Sequence, residues 1–181
     1  MNRFAIFLSA AALIVSTASL QAQTASPYAG QERRAIKALS EEEIRDLLEG
    51  RGMGLAKAGE LNSYPGPMHV LQLADELALS ATQRAATEAL YAGMRDKAQP
   101  LGRTIIEAER TLDQAFASGR IDAAALRAQT HAIAILRGEL RAVHLETHLA
   151  QRSLLTPEQV ARYDALRGYG EAVHGSRRHG G

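Results

Sequence analysis

Two runs of apolar residues at helical spacing organise the chain. Leu90, Met94, Leu101, Ile105, Leu112 and Phe116 recur at alternating steps of four and seven, with Ala98 and Ala108 between them. Leu126, Ile133, Leu136, Leu140, Val143 and Thr147 form an answering stripe beyond Gly119. Heptad-like steps place one face of a helix against a nearly antiparallel partner. The connection is short, and Asp122 is placed to cap the second helix, so the two must fold back on each other. Pro100 interrupts the first run; inside a helix it deletes a hydrogen bond and costs on the order of 3 kcal/mol. A kink that bows the hairpin is expected there, with a break as the alternative.

Shorter elements flank the hairpin. Ser40 with Glu43 three residues later reads as a capping box opening a short helix that stops at Gly50. Gly50, Gly52, Gly54 and Gly59 then interrupt the pattern, and Tyr64-Pro65-Gly66-Pro67 forces a turn. Val70, Leu71, Leu73, Ala74 and Leu77 mark a helix over 68–77, and a last helix begins after Thr156 and fades at Gly168-Tyr169-Gly170. The predicted fold class is all-α: an elongated antiparallel helical hairpin with short flanking helices. One helical domain is expected over 40–168, with a flexible lead over 23–39 and a disordered tail over 169–181. A lone hairpin has too little interior to bury both faces of its long helices, which predicts a homodimer.

The first 22 residues are set apart from this domain. Arg3 is followed by an apolar run from Phe4 to Val15 and then by small and polar residues ending in Leu20-Gln21-Ala22. This is the layout of a signal peptide cleaved near Ala22. The run is shorter than the roughly 20 residues a bilayer span requires. Export without a membrane anchor is therefore expected.

Composition removes several functions. The chain has no Cys, so neither disulfides nor thiol chemistry is available. Without Arg3 its acids and bases balance, and it has no Trp; neither fact favours nucleic acid. Gly52-Met53-Gly54-Leu55 lacks the Lys-Ser/Thr of a phosphate loop. No Gly-x-Ser-x-Gly elbow exists for a nucleophile. The reading is not an enzyme, and no cofactor is required.

Two strings carry the most specific signal. Leu79-Ser80-Ala81-Thr82-Gln83 and Leu155-Thr156-Pro157-Glu158-Gln159 each place Leu, a hydroxyl residue, two spacers and Gln where a helix begins. In each, the hydroxyl of Ser80 or Thr156 can accept from the first turn while Gln83 or Gln159 reaches back to the cap N–H. Pro157 suits the first helical position, and Leu155 can staple onto Val160. Two such boxes around a hairpin, behind an export signal, resemble the Spy/CpxP-like periplasmic proteins with repeated L-T-x-x-Q motifs. Ser80 departs from that pattern but keeps the cap chemistry. The resemblance implies a periplasmic location and thin, curved helical dimers. It also implies stress-chaperone or heavy-metal-sensor activity, binding unfolded or envelope proteins or signalling through a membrane-bound partner.

Histidines supply the remaining chemistry. His144 and His148 lie one turn apart on one helix, a natural pair of ligands for zinc, nickel or copper. They fall roughly 60° and roughly 100° from the centre of the apolar stripe, at its edge. His69 is the candidate third ligand. The ordinary alternative is that the pair are boundary residues of a packed helix; the sensor branch of the resembled family, which uses histidines on these helices, favours metal. His131 falls on the opposite face, and His174 and His179 lie in the tail. Leu145 stands where a zinc protease needs Glu, which excludes that enzyme. Arg84, Arg95, Arg103, Arg127 and Arg141 are interspersed with acids along the two helices, the pattern of a solvated face. Two classes remain: an ATP-independent chaperone or stress adaptor, and a metal-binding sensor.

Overall fold

The computed structural model describes residues 26–169, and among them every regular element is helical. The helices are α1 (Glu41–Glu49), α2 (Lys57–Glu60), α3 (Pro67–Gln72), α4 (Ala81–Ala117), α5 (Ala123–Leu154) and α6 (Pro157–Leu166). A short 3-10 turn at Gln31–Arg33 precedes them. None of these helices is long and apolar enough to cross a membrane.

α4 and α5 form the hairpin. Gly119 turns the chain at φ 64°, and Asp122 Oδ1 accepts from the Ala124 and Ala125 amides to start α5. Met94, Ala98 and Ile105 of α4 and Ile133, Leu140 and Thr147 of α5 are buried. The stripe ends short of the tip, where Phe116 is 57% exposed. Pro100 does not break α4: the helix runs on either side of it, and the ring sits on the exposed side. Pro100 still withholds one N–H donor from the helical ladder.

Two cores hold the flanking pieces to the hairpin. The first joins Ile36, Leu39 and Leu47 to Ala98, Ile105, Ile106 and Leu140. Ile36 and Leu39 are 1% and 2% exposed, so the latter part of the expected flexible lead is docked. Burial of each such side chain is worth about 1.5–3 kcal/mol, enough to order a short segment. The Lys37 amide also donates to Asp113 Oδ1 at 3.1 Å. α1 is seated by the Ser40–Glu43 capping box at one end and by Gly50, at φ 66°, at the other. Against it lies Gly102 of α4. A Cβ on Gly102 would stand 2.1 Å from the Leu47 carbonyl oxygen, so the close approach requires glycine.

The second core closes the open base of the hairpin with Val70, Leu77, Leu155, Val160 and Tyr163. α3 stops at Gln72 rather than continuing to Leu77 as its apolar spacing predicts. Leu77 is drawn into this core, and Ala78 at φ 49° redirects the chain toward the start of α4.

Candidate functional site

Both motif copies are capping boxes. Ser80 Oγ accepts from the Gln83 amide at 3.1 Å while Gln83 Oε1 accepts from the Ser80 amide at 3.0 Å. Thr156 and Gln159 repeat the arrangement at 3.2 and 2.9 Å. The structure adds what separate boxes do not contain. Gln83 Nε2 donates to Gln159 Oε1 at 2.8 Å, and Gln159 Nε2 donates back to Gln83 Oε1 at 3.1 Å. The second hydrogen of each amide goes to a carbonyl beside the other motif: Gln83 to Leu154 at 2.8 Å, Gln159 to Leu77 at 3.2 Å. Each carboxamide thus uses both donors and both lone pairs. Leu155 and Val160 pack in the core below, with Leu79 against its edge.

This pairing gives the motif glutamine a physical reason. Glu43 serves equally well in the box that starts α1, where its carboxylate accepts from the Ser40 amide and hydroxyl. At positions 83 and 159 the residue must also donate across the base, which a carboxylate cannot do.

A second cluster forms around Glu60, at the end of α2. Its Oε2 accepts from the Gly66 amide at 3.1 Å. Its Oε1 accepts from the Tyr163 hydroxyl and, at 3.1 Å, from that of Tyr169. Arg167 Nε lies 3.6 Å away. Burial and the bond to Glu60 push the Tyr163 hydroxyl well above the usual phenol range, so it stays protonated and donating. Sequence alone offered no cue to Glu60, because its tyrosine partners lie more than a hundred residues away.

The three expected metal-ligating histidines separate into a pair and a buried single. His69 Nδ1 and His148 Nδ1 each stand 3.7 Å from a Glu60 oxygen, one on each side of the carboxylate. His148 Nδ1 is 2.7 Å from the Tyr64 carbonyl, which only accepts, so that nitrogen carries a proton. A Cβ on Gly66 would come within 2.9 Å of the His148 ring, so glycine admits the imidazole there. Burial holds His69 below the usual histidine range; nearby Arg167 adds to this and Glu60 opposes it. His144 is only 2% exposed, well inside the edge position expected of it, and its Nε2 has no hydrogen-bond partner among the described residues. Burial, then the neighbouring His148, lowers its pKa. Among the described residues no three His, Asp or Glu side chains are grouped to hold a metal ion. His131 is exposed, and His174 and His179 lie outside the described residues.

His69, His144 and His148 share a cavity of about 650 Å³ between the loop after α1, the start of α3 and the facing sides of α4 and α5. Met53, Met68, Met94, Tyr91 and Ala56 supply apolar walls, while Arg95 and Lys57 stand at its lining. Arg95 is held by the Glu49 carbonyl at 3.2 Å and lies over the Tyr91 ring.

No curated protein and no solved structure matches the chain. The clasped glutamines, the capping hydroxyls and the hairpin between them all fall within residues 66–167, which match the family described as LTXXQ motif family protein, and the chain belongs to that family.

Proposed function

We propose that this protein is a periplasmic, ATP-independent chaperone or envelope-stress adaptor. Its hairpin, as a homodimer, binds unfolded or partner proteins at its surface, and an export signal over residues 1–22, outside the described residues, delivers it. Family membership carries the reading. The character of the long helices supports it: Phe116, near the tip of the hairpin, is 57% exposed, and exposed cations such as Arg103 and Arg127 stand along the same two helices. Such a surface offers apolar contact and solubility together. The test is suppression of aggregation of two unrelated denatured clients by the purified protein without nucleotide. Protection at near-stoichiometric ratios is expected; no protection by folded protein would sink the proposal.

Divalent-metal binding is a second reading, favoured by one observation. Glu60 stands between His69 and His148, and the Nδ1 proton of His148 leaves its Nε2 as the free lone pair. Metal uptake would require these groups to draw together. Calorimetric titration with zinc, nickel and copper, compared with the His148→Ala protein, decides it. An unchanged affinity in the variant would remove the site.

A further inference from the structure

The histidine-lined cavity has features that neither reading uses. Met53, Met68 and Met94 are the only methionines among the described residues, and all three line it together with Tyr91. Its volume, about 650 Å³, is that of a small-molecule site. Met53 holds φ 43°, a left-handed conformation uncommon for a residue with a side chain and frequent at ligand clamps. His144, also in the lining, buries an Nε2 that no group among the described residues satisfies. Buried polar nitrogens are nearly always paired, so one left unpaired among the described residues, beside a cavity, asks for a further partner.

These groups define the ligand. Thioethers fit irregular apolar shapes and make favourable contacts with aromatic rings. A neutral imidazole exchanges one hydrogen bond with a hydroxyl, whereas an ionised head at that depth loses its hydration without gaining a countercharge. We propose that the cavity binds a small planar aromatic molecule bearing one neutral hydroxyl, a phenol-type ligand of two or three rings. Its ring body lies against Met53, Met68, Met94 and Tyr91, and its hydroxyl meets His144 Nε2. This site does not depend on metal at His69 and His148 or on client binding along the hairpin.

The test titrates the full chain with 2-naphthol, naphthalene and 2-naphthoate. Calorimetry follows the affinity, and the methyl NMR signals of carbon-13-labelled methionine follow the location. One saturable site for 2-naphthol is expected, with naphthalene and 2-naphthoate each at least tenfold weaker. The methyl signals of Met53, Met68 and Met94 should shift together, along one saturation curve. In His144→Leu the preference for naphthol over naphthalene should fall below twofold. Should that variant fail to fold, the pattern of methyl shifts in the unaltered protein still decides the location. Absence of saturable 2-naphthol binding, or equal affinity for naphthalene, would overturn the proposal. Tighter binding of 2-naphthoate would also overturn it, by moving the anchor from His144 to Arg95 and Lys57.

Discussion

Gly102 and His144 show how one side chain, absent or present, sets the local balance. Replacing a helical glycine by alanine ordinarily stabilises the helix by up to about 1 kcal/mol. At Gly102 the new Cβ would collide with the Leu47 backbone, which cannot swing away as a side chain could. Gly102→Ala is therefore expected to destabilise by about 1–3 kcal/mol, read from urea midpoints, with α1 pushed off the hairpin. His144 acts through its proton. Its folded pKa lies below the ordinary 6.5 because burial disfavours the imidazolium. As pH falls below 6.5 the unfolded chain takes up that proton first, so stability is full above 6.5 and declines as pH drops toward the folded value. Denaturation midpoints at pH 7.5, 6.5 and 5.5 should fall in that order. His144→Leu should flatten the decline, and His69, shifted in the same direction, should retain the rest of it.

Among the elements, the pairing of the two motifs is the most specific device. Gln83→Ala and Gln159→Ala each leave polar groups of the other motif unmatched, so their effects should not add. A double-mutant cycle should give a coupling of about 0.5–1.5 kcal/mol; additivity would mean that the cross-bonds contribute nothing. The boxes themselves were legible, because Ser80–Gln83 and Thr156–Gln159 are local patterns of four residues. Their meeting was not, since the two glutamines are 76 residues apart and nothing local distinguishes a glutamine that caps from one that also bridges. The same limit hid Glu60. It also explains Ile36 and Leu39, two isolated apolar residues with no periodicity, whose burial depends on a groove made by distant helices. Where α3 ends was missed for a related reason: the apolar spacing of Leu73 and Leu77 suits a helix, but the second core takes Leu77 through a turn.

For the whole molecule, the hairpin was legible because the two long stripes, Leu90 to Phe116 and Leu126 to Thr147, repeat over about seven and about six turns. The site was only partly so: periodicity put His144 at the edge of the packed face, and α3 and the loop after α1, packed over that edge, make it interior. The outer side of α5 remains uncovered by any of the described residues. Ala128, Ile135, Ala142 and Leu149 follow one another there at steps of seven, all exposed. This is the face on which the proposed homodimer would form. Sedimentation at micromolar concentration should show a dimer, and Ile135→Lys with Leu149→Lys should yield a folded monomer. Compact monomer in the unaltered protein would remove the dimer.

The clasp between the motifs also has a consequence for the lifetime of the folded state. The turn at 118–122 brings α4 and α5 together locally, so the hairpin can zip from that end, whereas the glutamines at the base, 76 positions apart, must wait until the chain between them is in place. An interaction that forms after the rate-limiting step governs escape from the native state and leaves the route into it untouched. Gln159→Ala should therefore unfold about fivefold faster per kcal/mol lost, with little change in its refolding rate. Stopped-flow chevrons would show this as a displaced unfolding arm over a common refolding arm. A refolding rate slowed by the same factor would place the clasp in the nucleus instead.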